Sequence, residues 1–310
     1  MRNGRWAGLA GLALAVGLTV AACGSDSSEE SEGSATVGSA DFGEARIIAE
    51  MYAQVLEADG YEVTRKLGVG SREVYIKAME NGEIDLVPDY LGTLTEFFNT
   101  QVNGPDAAEA APLASSDPDQ TMDNLQPLAQ QQGFTVTSYS AAVDQNAFAV
   151  TRETAEANDF VNTSDLASAN GTLVLGGPPE CPERPFCLPG LEDVYGLTFK
   201  EFKPLDAGGP NTKGALADGT IDVGLVFSSD GAVVANDFVI LVDDKQLQKA
   251  DNIVGLARTD SADETVLAAM DAVNQVLTTE DLQELNKRFD VDKESADALA
   301  EEYLTDKNLI

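Results

Sequence analysis

One stretch of this 310-residue chain recurs in altered form further along it, and that echo constrains the fold more than any other feature. Ala78-Met79-Glu80-Asn81-Gly82-Glu83-Ile84-Asp85-Leu86 is answered by Ala215-Leu216-Ala217-Asp218-Gly219-Thr220-Ile221-Asp222-Val223. Both have an alanine, a glycine four on, and then Ile-Asp followed by an aliphatic residue. Each reads as a helix closed by a left-handed glycine and followed by a buried strand. The register runs on: Tyr90 and Phe227 each stand eight residues past that glycine, and Thr93 and Asp230 three further. Open parallel sheets bind ligands outside the carboxyl ends of their strands. Two related α/β lobes facing each other would therefore present Tyr90 and Phe227 to a shared cleft. The competing reading is a chance likeness of two helix–strand units, since the shared residues are few.

Helical and strand patterns alternate along the rest of the chain, which argues for α/β layers. A short strand ends over Thr36 to Ser39. Phe42, Ile47, Ile48, Met51, Tyr52, Val55 and Leu56 then recur at helical spacing, with Asp41 placed as the cap and Glu44 as its reciprocal acid. Ser71 is placed as a second cap, opening a helix through Val74, Tyr75, Ala78 and Met79 that stops at Asn81-Gly82. Strands are expected over Ile84–Pro88, Phe148–Thr151, Leu173–Leu175 and Ile221–Phe227. Residues 101–120, rich in Ala, Pro, Asp and Ser, read as a surface excursion without its own core. From Glu264 the pattern is mostly helical.

The N-terminus describes export. Arg2 and Arg5 precede an apolar run from Trp6 to Ala22 without a charge, a secretory signal rather than a fold element. Val20-Ala21-Ala22-Cys23 resembles a bacterial lipobox, in which the cysteine is acylated and becomes the first residue. The Ser/Glu/Gly stretch from Gly24 to Ser34 has no apolar residue to bury and reads as a disordered tether. An ordinary cleaved signal with an incidental cysteine is the alternative.

Composition narrows the function. There are 19 basic against 53 acidic residues, a formal charge of −34, and no histidine. So acidic a surface repels nucleic acid; it favours solubility and would also draw cations. Without histidine the commonest general base and the commonest zinc ligand are both missing. No Gly-x-Ser-x-Gly elbow is present, and the Asp/Glu pairs lie in unremarkable helical contexts, so nothing positive supports an enzyme. Cys181 and Cys187, an even pair in an exported chain, read as a disulfide; two thiols with no histidine nearby make a poor metal site. Their loop holds Arg184 at its centre, where a staple would also aim the arginine.

Three segments carry a family resemblance. Gly38-Ser39-Ala40-Asp41-Phe42-Gly43-Glu44, Leu67-Gly68-Val69-Gly70-Ser71-Arg72-Glu73-Val74 and Gly82-Glu83-Ile84-Asp85-Leu86-Val87-Pro88-Asp89-Tyr90-Leu91-Gly92-Thr93 resemble the glycine betaine, choline and carnitine substrate-binding proteins of ABC importers. Ser229-Asp230-Gly231 and Leu241-Val242-Asp243-Asp244-Lys245 continue the likeness. It implies a two-lobed, periplasmic-binding-protein-like α/β fold, with two hinge crossovers and the ligand clamped between lobes. The crossovers are expected near Ser140 and Val239: residues 1–22 signal, 23–35 tether, 36–140 and 240–310 the first lobe, 141–239 the second. The resemblance further implies a monomer that hands its ligand to a permease and, through it, to ATPase subunits, with neither cofactor nor metal.

In that family tyrosines cage a quaternary ammonium, since a desolvated cation gains up to about 2 kcal/mol from an aromatic face. By resemblance Tyr90 matches a cage tyrosine, Thr93 the carboxylate-side threonine and Arg184 the arginine of the second lobe. Ser39, Asp41 and Phe42 fall in the N-terminal ligand loop, with Gly70, Ser71 and Asp230 completing the expected site. Asn146 stands where many members have a tyrosine, and Phe227 replaces another. The cage is incomplete, which leaves open a different polar solute or, as a third class, a surface lipoprotein without a transport role.

Overall fold

The computed structural model of the chain describes residues 33–310 apart from Glu180, Pro185 and Ala207. The expected signal, Cys23 and the tether up to residue 32 lie outside the described residues. Gly33 to Ala35, expected in the tether, already belong to the first strand.

The first sheet forms from β1 (Gly33–Ala40), β2 (Tyr61–Gly70), β3 (Leu86–Tyr90), β4 (Phe134–Val136) and, from far along the chain, β10 (Ile253–Arg258). Helices α1 (Gly43–Ala58), α2 (Arg72–Glu80), α3 (Leu91–Asn103), α4 (Pro105–Ala110) and α5 (Pro118–Gln131) lie between its strands. The second sheet takes β5 (Asn146–Thr151), β6 (Val174–Gly177), β7 (Glu201–Pro204), β8 (Val223–Phe227) and β9 (Phe238–Ile240), with α6 (Arg152–Asn158), α7 (Leu188–Asp193), α8 (Pro210–Ala217) and α9 (Gly231–Ala235) between them. After β10 come α10 (Glu264–Val276), α11 (Thr279–Asp290) and α12 (Ala296–Asp306).

The two sheets have the same plan, β2-β1-β3-β10-β4 and β7-β6-β8-β5-β9. In each, a parallel trio is joined by an antiparallel strand that comes from elsewhere in the chain. The sequence echo has a physical cause here. Asp85 Oδ2 accepts the Thr36 N–H at 2.8 Å, and Asp222 Oδ2 accepts the Val174 N–H at 2.7 Å. Each aspartate thus fastens its strand to the neighbouring parallel one, with Val37 opposite Leu86 and Leu175 opposite Val223. The preceding isoleucine explains a glycine inside the neighbouring parallel strand. A Cβ on Gly38 would meet Ile84 at 2.8 Å, and one on Gly176 would meet Ile221 at 2.6 Å. Gly82 and Gly219 both close their helices with positive φ, 76° and 73°, the conformation that costs glycine least.

The core of the first lobe lies on both faces of its sheet. Ile47, Ile48, Met51, Tyr52, Val55 and Leu56 of α1 are buried against α10, α11 and α12, each such side chain contributing about 1.5–3 kcal/mol. On the other face α2, α3 and α5 bury Met79, Leu94, Phe98 and Leu125. Residues 101–120 are not a bare excursion: they include α4 and the start of α5, and Ala108 and Ala114 are buried. Asp117 caps α5 by accepting the N–H groups of Asp119 and Gln120. The second lobe is smaller, and Cys181 and Cys187 form a disulfide within its core.

The chain passes between lobes through residues 137–145 and returns through 248–252. Leu241 and Leu247 still pack in the core of the second sheet, so the return lies several residues beyond Val239. A third connection is noncovalent. α11 lies against α9 so closely that a Cβ on Gly231 would stand 2.0 Å from the Gln283 carbonyl oxygen. Gln283 also donates to the Ser228 carbonyl at 2.8 Å.

Candidate ligand-binding cleft

A cleft of about 1570 Å³ opens between the two sheets, at the carboxyl ends of β3 and β8. Tyr90 and Phe227, the last residues of those strands, both line it. Phe42, Thr93, Asn146, Arg184 and Asp230 line it as well. The strand register accounts for one pairing: β5 runs antiparallel to β8 with Asn146 opposite Phe227, and β10 runs antiparallel to β3 with Ile253 opposite Tyr90.

Four expected residues are elsewhere. Ser39 is fully buried; its hydroxyl donates to the Ala40 carbonyl and accepts the Gly68 N–H. Asp41 is exposed and paired with Arg46, and it is not the cap of α1, whose N-cap is Phe42 with no side-chain bond. Its backbone N–H donates to the Gly70 carbonyl, which makes Gly70 a strand-end anchor. Ser71 stands at the N-cap of α2, and its hydroxyl donates to Glu73, which lines the cleft while Ser71 itself does not. The family resemblance places all four at the site; in the structure they lie outside the cleft lining.

Glu44, assigned on spacing to a capping role, lies instead at the floor of the cleft and is 4 % exposed. Its carboxyl accepts the Tyr90 hydroxyl at 2.8 Å and Asn286 Nδ2 at 2.6 Å, with Ser229 a further partner. Burial raises its pKa, and those hydrogen bonds oppose the rise. Asp144, in the outgoing crossover, is held well above the usual carboxylate range by burial and then by the charge of Glu44, with Ser229 bonding to it in opposition. Asp251, in the returning crossover, is pushed up to about 6 by burial, although it accepts the Thr93 N–H at 2.7 Å. The crossovers are tied to each other, since the Asp144 N–H donates to the Asp251 carbonyl at 3.0 Å.

Beside this floor, Phe42 stacks on Tyr90 with ring centroids 6.0 Å apart. Arg72 donates to Asp89, which is fully buried, at 2.6 Å and to the Thr93 hydroxyl at 2.8 Å, while the Tyr75 hydroxyl donates to Asp89 at 2.7 Å. That network fixes Thr93 at the rim. On the opposite wall Asp230 pairs with Lys213 and caps the turn into α9 through the Ala232 N–H. Arg184 is exposed, and its backbone N–H is bound to the Cys181 carbonyl. Among the described residues it makes no ion pair.

Glu44, Arg72, Asp144, Ser229, Asp251 and Asn286 had not been selected as site residues. One signal was available for Glu44: it falls three and four residues before Ile47 and Ile48, on the apolar stripe of α1. Asn286 comes from α11, 242 positions away from the Glu44 it bonds, and no local pattern announces it. Among the described residues no cluster of three potential metal ligands occurs, and no helix is long and apolar enough to cross a membrane.

Two α/β lobes of common plan, joined by two crossovers around a cleft floored by rings and carboxyls, define a solute-binding protein of the two-lobed type. The chain belongs to the family described as the substrate binding domain of ABC-type glycine betaine transport system, whose model matches residues 33–306. It is 26% identical over 287 residues to the glycine-betaine-binding protein of Pseudomonas aeruginosa, covering 88% of each chain. It is likewise 26% identical to the carnitine transport binding protein OpuCC of Listeria monocytogenes, covering 86% of this chain and 84% of that one. Its fold matches a solved glycine betaine/carnitine/choline ABC transporter structure with a TM-score of 0.75 at 24% identity, over 89% of this chain and 99% of the other.

Proposed function

We propose that this protein captures a small ammonium-type solute, of the glycine betaine or choline kind, between its lobes and delivers it to an ABC permease. The observation that carries the reading is the cleft floor, where the Phe42 and Tyr90 rings adjoin the Glu44 and Asp144 carboxyls. A cation there meets aromatic faces and negative charge together, in surroundings dry enough to strengthen both. Phe227 closes the opposite wall, and Arg184, which makes no ion pair among the described residues, offers a cation to an anionic end of the solute. Lobe boundaries at the two crossovers, 137–145 and 248–252, fit closure about a hinge.

The names of the relatives support the transport role, and the sequence of residues 1–23 supports attachment by lipid on Cys23 at the extracytoplasmic face. Titration calorimetry against glycine betaine, choline and carnitine tests the site. Binding is expected, and Tyr90→Ala should weaken it at least tenfold, because that ring also orients Glu44. Binding that Tyr90→Ala leaves unchanged would place the ligand elsewhere. Labelling with a lipid precursor tests the anchor, and label that persists in Cys23→Ala would remove it.

A further inference from the structure

Two acceptors at the cleft floor have no hydrogen-bond partner among the described residues. Asp144 Oδ1 and Asn286 Oδ1 are both shielded from solvent and unbonded among the described residues. Asn286 is 6 % exposed and lines the cleft. The orientation of its amide follows from its donors, since Nδ2 gives hydrogen bonds to Glu44 at 2.6 Å and to the Ser229 carbonyl at 2.9 Å. A flipped amide would set oxygen against oxygen at both contacts, so Oδ1 is fixed as the free acceptor. Asp144 is held as firmly. Its N–H donates to the Asp251 carbonyl, and the N–H of Gln145 donates to Ser228 Oγ at 3.0 Å. Glu44 differs from both, because Tyr90, Asn286 and Ser229 already bond to its carboxyl.

A fully methylated ammonium offers C–H groups alone. It gains from the Phe42 and Tyr90 faces and from the negative charge, but it leaves both acceptors buried and unmet. Because both are already unmet without ligand, an N–H that satisfies one of them gains about fivefold to a hundredfold in affinity over a ligand that does not. An ammonium that keeps N–H bonds can donate to Asp144 Oδ1 and Asn286 Oδ1 while retaining the charge. The aromatic surface that would reward full methylation is reduced on the same wall, where Asn146 lies opposite Phe227 in the β-ladder. We infer that the cleft selects ammonium solutes retaining at least one N–H over their fully methylated counterparts, with Asp144 and Asn286 as the residues that read the N–H. The inference rests on the ammonium-solute reading above and narrows it.

Calorimetry on the full chain decides it with two series of constant skeleton, ethanolamine through its mono-, di- and trimethyl forms, and glycine through glycine betaine. The hydroxyl or carboxylate is thereby held fixed while the N–H count falls. The mono- or dimethyl member should bind at least about fivefold more tightly than the trimethyl member. Asp144→Asn, which replaces one acceptor oxygen by a donor, should erase most of that ratio. Should Asp144→Asn fail to melt cooperatively, Asn286→Ala serves the same purpose and should reduce the ratio. Trimethyl members binding as tightly as or more tightly than the others, with Tyr90→Ala abolishing that binding, would overturn the inference and leave the proposed function standing. No binding by any member would overturn both.

Discussion

Where the first lobe ends its central strand with Asp89-Tyr90, the second ends the equivalent strand with Val226-Phe227. The backbone plan is shared down to the aspartate that fastens each strand, yet the side chains diverge at the cleft. Asp89 is fully buried against Arg72 and Tyr75, and Val226 is buried among Ala147, Ala149 and Phe238. By the register of the echo, Gly209 and Thr212 stand where the first lobe has Arg72 and Tyr75. The first lobe holds charge at the cleft because Arg72 offsets Asp89, and three C-terminal helices add the apolar burial that carries the load. The second lobe lacks those helices, keeps an apolar strand end, and has a disulfide in its core. One plan thus accommodates a polar strand end and an apolar one, provided that each has its own means of stabilisation.

The largest expected effect tests that division. Arg72→Met leaves the Asp89 carboxylate buried beside Tyr75 without its cation, and breaking such a pair costs about 3–5 kcal/mol. Urea denaturation should show a loss of that size. The triple variant Arg72→Met, Tyr75→Phe, Asp89→Val rewrites the first lobe in the manner of the second and should recover most of it. A single variant within 1 kcal/mol of the wild type would mean that Asp89 does not depend on Arg72, and the comparison would fail. Next in size is the staple. Closing the short loop between Cys181 and Cys187 stabilises the fold by roughly 2 kcal/mol on the chain-entropy account. Its removal in Cys181→Ala/Cys187→Ala should speed hydrogen exchange in β6 and β7 and leave β1 and β3 unchanged. Equal loss in both lobes would show that they unfold as one unit.

Much of this was legible from the residues. The helical spacing of Ile47 to Leu56, the paired glycines and aspartates of the echo, and the cysteine pair all express local rules. They led to the two lobes, to Tyr90 and Phe227 at one cleft, and to the disulfide. The floor was not legible because its parts come from four distant segments. Glu44 fits a capping pattern and is used otherwise, Asp144 and Asp251 look like ordinary loop acids, and Asn286 is a polar residue in a helix full of them. Their role follows from burial, which depends on the packing of α11 against the β8–α9 junction and has no short-range signature. Ser39, Asp41, Gly70 and Ser71, placed at the site by the resemblance, are close in sequence to lining residues, but strand alternation and backbone bonds point them elsewhere.

Acid titration separates the lobes in a second way. In the first lobe and its crossovers, burial raises Glu44, Asp144 and Asp251, the last to about 6. In the second lobe burial would raise Asp206, but the N–H groups of Asn211 and Thr212 and the Thr212 hydroxyl outweigh it and hold it below the usual range. A carboxyl whose folded pKa lies above its unfolded value binds more protons when folded. Its contribution to stability is present below the unfolded pKa, about 4, and is lost as pH rises through the folded one. Asp251 by itself should make the unliganded protein about 1 kcal/mol less stable at pH 7 than at pH 5, seen as a lower melting temperature. Asp206 has the opposite sign and acts below about pH 4, outside that window. Asp251→Asn should reduce the loss between pH 5 and 7 by about 1 kcal/mol; a profile that keeps its full slope would assign the effect to Glu44, Asp144 and the overall negative charge instead.

The smallest expected effect concerns the two aspartates that make the lobes alike. Asp222 Oδ2 accepts the Val174 N–H, and Asp85 Oδ2 accepts the Thr36 N–H in the same way. Among the described residues Asp85 has further partners that Asp222 lacks: its Oδ1 accepts from Ser261 at 2.7 Å and from Arg258 at 3.2 Å. An asparagine can keep the strand contact through its amide oxygen, so Asp222→Asn should cost a few tenths of a kcal/mol, the difference between a charged and a neutral acceptor. Asp85→Asn must turn its amide nitrogen toward Arg258 and Ser261 to keep that same contact. It loses a partly buried ion pair and should cost about 1 kcal/mol. Denaturation midpoints of the two variants measure the difference directly. If Asp222→Asn is the more costly of the two, the strand contact itself carries the stability, and the extra partners of Asp85 contribute nothing that the second lobe misses.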